Sequence, residues 1–249
     1  MQAPVSSITK LLVLLAFVPF IVGLSTELNK TALVWHIRIV DFLDLVLMAP
    51  FYILLLMKIR GYILSQNQPP FVGFVSFVLS GTFIYGHAMH MTANAIDTYS
   101  FEIRNYRAVV PQDMYELIHF LDEQLGHYLI FVSLIMLFLL YSYAEVIGKK
   151  IVDQSKSSKT LLYCSAFVFG LQLTVSAIEA QITTLYTIAV FLSIISIFLI
   201  IKGTEQPPNK LRLPPYPIVS FFMIVLFTSL LIVPIYYFTI GDFIQPSHM

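Results

Sequence analysis

The sequence predicts an all-α, polytopic membrane protein: one bundle over residues 1–249 with seven transmembrane helices, or six if residues 1–25 are a cleaved signal. Three observations carry this. Only 11% of residues are charged and 58% are hydrophobic, whereas a typical soluble domain has about 25% charged residues. Mean hydropathy is +0.83. Apolar runs of about 18 to 25 residues, the length a bilayer core requires, recur along the whole chain. Net charge is zero and there is no basic block, so nothing points to a nucleic-acid partner. The single cysteine, Cys164, reads as a small packing residue, and it leaves no internal disulfide or Cys-ligated metal site.

Residues 8–24 (ITKLLVLLAFVPFIVGL) are long enough to span. They also have the leading charge (Lys10), apolar core and small residues (Gly23, Ser25) of a signal peptide. Helix two is expected from about Val34 to Met57, with Asp41 and Asp44 near its start and Lys58 and Arg60 at its end. The linker from Gly61 closes on Pro69-Pro70, which helices seldom cross. Helix three covers about Phe71 to Ile96, and residues 98–114 form a polar loop rich in interfacial aromatics and charges. Helix four, about Tyr115 to Ile147, exceeds what a bilayer requires, so its first two turns project into the headgroups. A basic connector (GKKIVDQSKSSK) follows. Residues 161–201 are apolar apart from Glu179 and Gln181, too long for one span, so a reversal at about Glu179 to Thr183 divides helices five and six. Five prolines between Lys202 and Pro217 break the next connector, and helix seven runs from about Ile218 to Ile240 with Pro234 as a kink point.

Charge bias sets the orientation. A cytoplasmic N-terminus puts ten basic residues on the inner side: Lys10, Lys58, Arg60, Lys149, Lys150, Lys156, Lys159, Lys202, Lys210 and Arg212. Only four, Lys30, Arg38, Arg104 and Arg107, fall outside, which the positive-inside rule favours. With seven spans the C-terminus is extracytoplasmic. The same alternation brings His36, Asp41 and Asp44 of helix two, the end of helix three, the start of helix four and Glu179 of helix five to one outer end of the bundle.

Two polar rows meet there. In YGHAMHMTANAID, His87, His90, Asn94 and Asp97 fall within about 80° of one helix face. Glu116, His119, Glu123 and His127 share a face of similar width on the next helix. Burying so many ionisable groups in apolar surroundings is costly, which marks a site. Interhelical pairing, often well under about 2 kcal/mol each, is the simpler account of His36 or of Glu179 alone. Three imidazoles and a carboxylate gathered together favour chemistry.

Three histidines plus a water is a catalytic zinc arrangement. His87 and His90, one turn apart, and His127 are the expected ligands, with His119 as a substitute; iron or copper would suit the same donors. Glu123, one turn before His127, is placed as general base on the bound water, and Asp122 is the second catalytic candidate. Asp122 lies about 100° from Glu123 and so faces either headgroups or another helix. Asp41, Asp44, Asn94, Asp97 and Glu179 are placed to orient the imidazoles, and Tyr115 or Tyr128 to assist an oxyanion.

Other chemistries fit less well. Glu116-x-x-His119 is half of a di-iron bundle motif, with no second copy or further glutamates to complete it. Membrane desaturases and hydroxylases use about eight histidines, and this chain has six. A bis-histidine haem between helices three and four leaves the carboxylates unexplained. The runner-up is a metal- or haem-dependent redox protein or a subunit of a larger membrane complex; an ion-coupled transporter is third. The confinement of polar groups to one end disfavours the transporter, whose site normally lies near the midplane.

Ser80, His90-Met91-Thr92 and Leu121-Asp122-Glu123, on a seven-helix frame, resemble alkaline ceramidases and related membrane hydrolases. The second histidine pair of that family, on its last helix, has no counterpart here. The resemblance implies a zinc-activated water attacking an amide or ester of a membrane lipid, here from the extracytoplasmic side.

Overall fold

Seven apolar helices account for nearly all of the described residues of the computed structural model: 7–24, 33–34, 37–38, 42–65, 68–97, 99, 110–148, 154–203 and 216–241. They are α1 (Ser7–Leu24), α2 (Ala49–Leu64), α3 (Pro70–Asp97), α4 (Gln112–Ile147), α5 (Lys156–Glu179), α6 (Thr183–Lys202) and α7 (Pro217–Ile240). All but α1 are long and apolar enough to cross a bilayer, and α1 adds a shorter apolar stretch, Ser7–Ile21. The chain is an all-α, multi-pass membrane protein.

Helix two starts later than its hydrophobicity suggests. Within its expected first turns, Leu33–Val34 pairs antiparallel with Ile37–Arg38 in a two-residue ladder. A π-helical turn, Asp44–Met48, then leads into α2, and Pro50 lies in the first turn of the helix. Helical residues run unbroken from 42 through this turn into α2, and Pro50, with no N–H to donate to the preceding turn, stands just where the π turn gives way to α-helix. At its far end α2 continues to Leu64, past the expected stop, with Ile59 and Ile63 buried. The split of residues 161–201 falls at the expected reversal. Gln181 takes a left-handed conformation (φ 56°), and the N–H groups of Gln181 and Ile182 donate to Ile178 O and Ala177 O, both at 3.0 Å.

α3 packs along α4 and α5 along α7; α1 joins α5 to α2, α2 leans on α3, and α6 contacts α4 and α7. Lipid tails are as apolar as leucine, so close packing rather than water exclusion holds such helices together. Glycine permits two close crossings, α3 with α4 and α5 with α7. A Cβ on Gly86 of α3 would stand 2.7 Å from Leu129 Cβ, and one on Gly126 of α4 would stand 2.9 Å from His90 Cβ. On α5, a Cβ at Gly170 would come within 2.8 Å of Val225 O. Beside that second crossing Phe138 stacks on Phe222 at 5.1 Å and on Phe221 at 5.7 Å between ring centres. Cys164 is exposed, contrary to the expectation of a packing role, because it lies off the buried stripe of α5 that includes Leu162, Ala166 and Phe169.

The end of the bundle opposite the histidines holds polar ties that the sequence reading missed. Arg60 Nε donates to Ser76 Oγ at 3.1 Å and its Nη2 to Gly73 O at 3.2 Å, clamping α2 to α3. Glu145, with 0% exposure, accepts from the N–H groups of Ile218 (2.9 Å) and Val219 (3.1 Å) through one carboxylate oxygen. These are first-turn donors of α7, whose own N-cap, Tyr216, offers no side-chain cap. A carboxylate on α4 thus caps a helix 73 residues away.

Candidate functional site

α4 is not a uniform helix. Phe120–Gly126 forms a π-helical segment between α-helical Gln112–His119 and His127–Ile147. Such wide turns advance fewer degrees per residue and occur often at functional sites. The face arithmetic that placed Glu116, His119, Glu123 and His127 in one row therefore fails across this segment. His119 instead stacks on Tyr115, with ring centres 6.1 Å apart, and does not line the cavity described below. Tyr128 packs against the core.

Asp122 and Gly126, four residues apart, face α3, where Gly86 and His90 show the same spacing. Asp122 is 4% exposed. His90 Nδ1 lies 2.7 Å from Asp122 Oδ1 and 3.2 Å from the Asp122 carbonyl oxygen. The carbonyl contact has hydrogen-bond geometry, and the carboxylate contact is a close electrostatic approach. Two oxygens at Nδ1 require the proton to sit there, which leaves Nε2 as the lone-pair nitrogen of the neutral ring. His127 is set the same way, its Nδ1 donating to Glu123 O at 3.0 Å. The two imidazole centres are 4.3 Å apart.

The crossing at Gly126 holds this pair in place. Gly126→Leu is expected to push α3 from α4, cost about 1–3 kcal/mol of stability through overpacking, and abolish the coupling between His90 and Asp122. Thermal unfolding and the tautomer signals of His90 in nitrogen NMR would measure both effects.

Both rings open on a cavity of about 180 Å³ lined by α1 to α5. His87, 9% exposed, lines it too, lying edge-on to Tyr52 (5.4 Å) and parallel to Phe83 (6.4 Å). The opposite wall, from α5, includes Gln172 and Ser176. Neither was singled out from sequence, although Phe169, Gln172, Leu173 and Ser176 follow helical spacing and their polar members could have been noticed. The Gln172 amide oxygen is buried without a hydrogen-bond partner.

The remaining expected site residues divide. Glu123 gives its backbone to His127, but its carboxylate does not line the cavity. That carboxylate is within electrostatic reach of His90, Asp97 and Glu179, so the ends of α3, α4 and α5 converge. The reason is local: within the π-helical segment Asp122 takes the direction facing α3, and its chain neighbour Glu123 projects from a different side of the helix. Asn94 is half-buried on the same last turns of α3. Asp44 begins the π-turn before α2. Its side chain, together with Asp41 and His36, lies outside the described residues. Ser80 sits beside Tyr141, ten residues and about 15 Å from His90 along α3, and is not part of the cavity wall.

The donors suit a metal in one respect. Metal-ligating histidines almost always donate their second ring nitrogen to a carboxylate or carbonyl, as His90 and His127 do here. Among the described residues, however, no group of three or more His, Cys, Asp or Glu side chains is already arranged to hold an ion. His87 would have to leave its aromatic contacts to complete a triad. A haem held between His90 and His127 does not fit. Iron–nitrogen bonds of about 2 Å on opposite faces would put the two nitrogens alone about 4 Å apart, whereas here the ring centres are only 4.3 Å apart.

Comparison of the chain with protein-family models, with curated proteins and with solved structures finds no match in any of the three.

Proposed function

We propose that the protein is a membrane-embedded hydrolase that cleaves a lipid amide or ester at the cavity between α3, α4 and α5. The observation that carries this is the grouping of His87, His90 and His127 on one cavity wall, with Asp122 buried against His90. The resemblance of His90-Met91-Thr92 and Leu121-Asp122-Glu123 to alkaline ceramidases puts lipid hydrolysis first among hydrolytic reactions.

In this reading His87, turned away from Tyr52 and Phe83, would join His90 and His127 in holding one divalent ion, zinc before iron or copper. Zinc there would lower the pKa of a bound water to about 7 and polarise the scissile carbonyl. Asp122 fixes the tautomer and direction of His90. Glu123, whose carboxylate lies off the cavity wall but within electrostatic reach of His90, would have to turn inward to take the water proton as the new carbon–oxygen bond forms. It would return that proton to the nitrogen or oxygen that leaves when the scissile bond breaks. The apolar surroundings keep bulk water away and admit the acyl part of the substrate.

The 2.7 Å contact between His90 and Asp122 favours one second reading, in which His90 is itself the general base and no metal takes part. Incubating the purified protein with N-acyl amides and acylglycerols in mixed micelles, and measuring released fatty acid, tests both. The metal reading expects release that stops on chelation and returns with zinc. Release insensitive to chelation supports the His90 base, and no release from zinc-loaded protein on either substrate class contradicts hydrolysis altogether.

We also propose a cytoplasmic N-terminus and an extracytoplasmic C-terminus, on the ten-to-four basic bias. The substrate would then come from the outer leaflet. A reporter fused after Met249 should read extracytoplasmic and one inserted at Ser157 cytoplasmic; the reverse pattern would move the cavity to the inner leaflet.

A further inference from the structure

We infer that the cavity binds the end of a single apolar chain with its amide or hydroxyl head at the imidazoles, and that Leu134 and Phe169 set how long that chain can be. The inference deepens the lipid reading above and rests on it for the nature of the ligand. Three helices show the same gradient. On α3, His90 stands seven residues from Phe83; on α4, His127 stands seven from Leu134; on α5, Ser176 stands seven from Phe169. All six residues line the cavity. Seven residues are two turns, about 10 Å along the axis, and return to within about 20° of the same face.

α3 and α5 run toward the histidine end and α4 runs away from it. His90, His127 and Ser176 therefore lie at one level, and Phe83, Leu134 and Phe169 at another, deeper in the bundle. The result is a polar rim over an apolar floor, to which α1 adds Leu15. An amphiphile matches both levels at once, while a wholly polar solute would leave the floor unmatched and an alkane the rim.

Size and hydrogen bonding narrow the ligand. At about 180 Å³ the cavity is smaller than sites for drug-sized molecules, which run roughly 300–1,000 Å³. It takes one chain end rather than the body of a two-tailed lipid. Gln172 lies one turn below Ser176, between rim and floor, and its buried carbonyl oxygen has no partner. An N–H or O–H on the ligand head satisfies it, which favours an amide or hydroxyl over an ester.

The test is thermal unfolding of the full chain in non-ionic detergent with a series of primary fatty amides from hexanamide to hexadecanamide, and with the matching methyl esters. Stabilisation is expected to peak at an intermediate length, as a closed floor requires. Phe169→Ala should move the peak to longer chains, and Leu134→Ala should do the same, so one misfolding variant does not spoil the test. Gln172→Leu should remove the preference for amides over esters. Stabilisation that climbs steadily with chain length, alike in wild type and in both floor variants, would mean partition into detergent and overturn the inference. This assay reads binding without turnover or metal. A peaked response with no fatty-acid release leaves the chain site standing and removes only the hydrolase.

Discussion

Replacing Glu145 with alanine is expected to cost about 3–5 kcal/mol, the usual result of removing one partner from a buried, charged hydrogen-bond network. The carboxylate is wholly buried and serves two N–H groups in the first turn of α7. Ile218 and Val219 are both fully buried, and Tyr216 offers those donors no side-chain cap. Without Glu145 they remain unpaired, each at about 1–3 kcal/mol. Glu145→Gln keeps an acceptor oxygen while losing the charge, and should recover a large part of the loss. For a chain of this size the alanine variant should unfold on the order of 10 °C lower. Equal melting temperatures for wild type and Glu145→Ala would show that α7 finds other partners.

At the opposite end, chemistry rather than folding should respond. Glu123→Gln preserves shape and hydrogen-bonding capacity but removes the proposed proton acceptor, so turnover should fall about 10²- to 10⁴-fold with metal content and melting temperature unchanged. His127→Ala should lose the metal as well, because one of three ligands is gone. Asp122→Asn stands between these. It leaves three imidazoles but weakens the hold on His90, so metal should bind about 10- to 100-fold less tightly. If all three variants merely lower stability by similar modest amounts, the histidines are structural glue between helices.

The spans were readable because membrane helices are written as long apolar runs, and the α5–α6 reversal because forty-one residues cannot cross once. Helix two was misjudged at its start because hydrophobicity does not distinguish a short extended pairing from a helix. The convergence of α3, α4 and α5 followed from alternation alone. The detailed site did not. Uniform helical periodicity fixes angles within one helix, but not which face meets its neighbour, and it breaks across the π-turn at Phe120–Gly126. Gly86 and Gly126 carry the missing information, because they mark where α3 and α4 come too close for a Cβ. Reading outward from them selects His90 and Asp122 as the facing pair and leaves Glu123 and His119 off the cavity wall. Glu145 was legible only in combination with α7, whose N-terminus lacks a capping residue of its own.

Elemental analysis of the full chain, purified without added metal, tests the central claim most directly. The account predicts about one zinc per chain in the wild type and none in His127→Ala. A wild-type protein free of zinc, iron and copper that also fails to take up zinc on titration would contradict it.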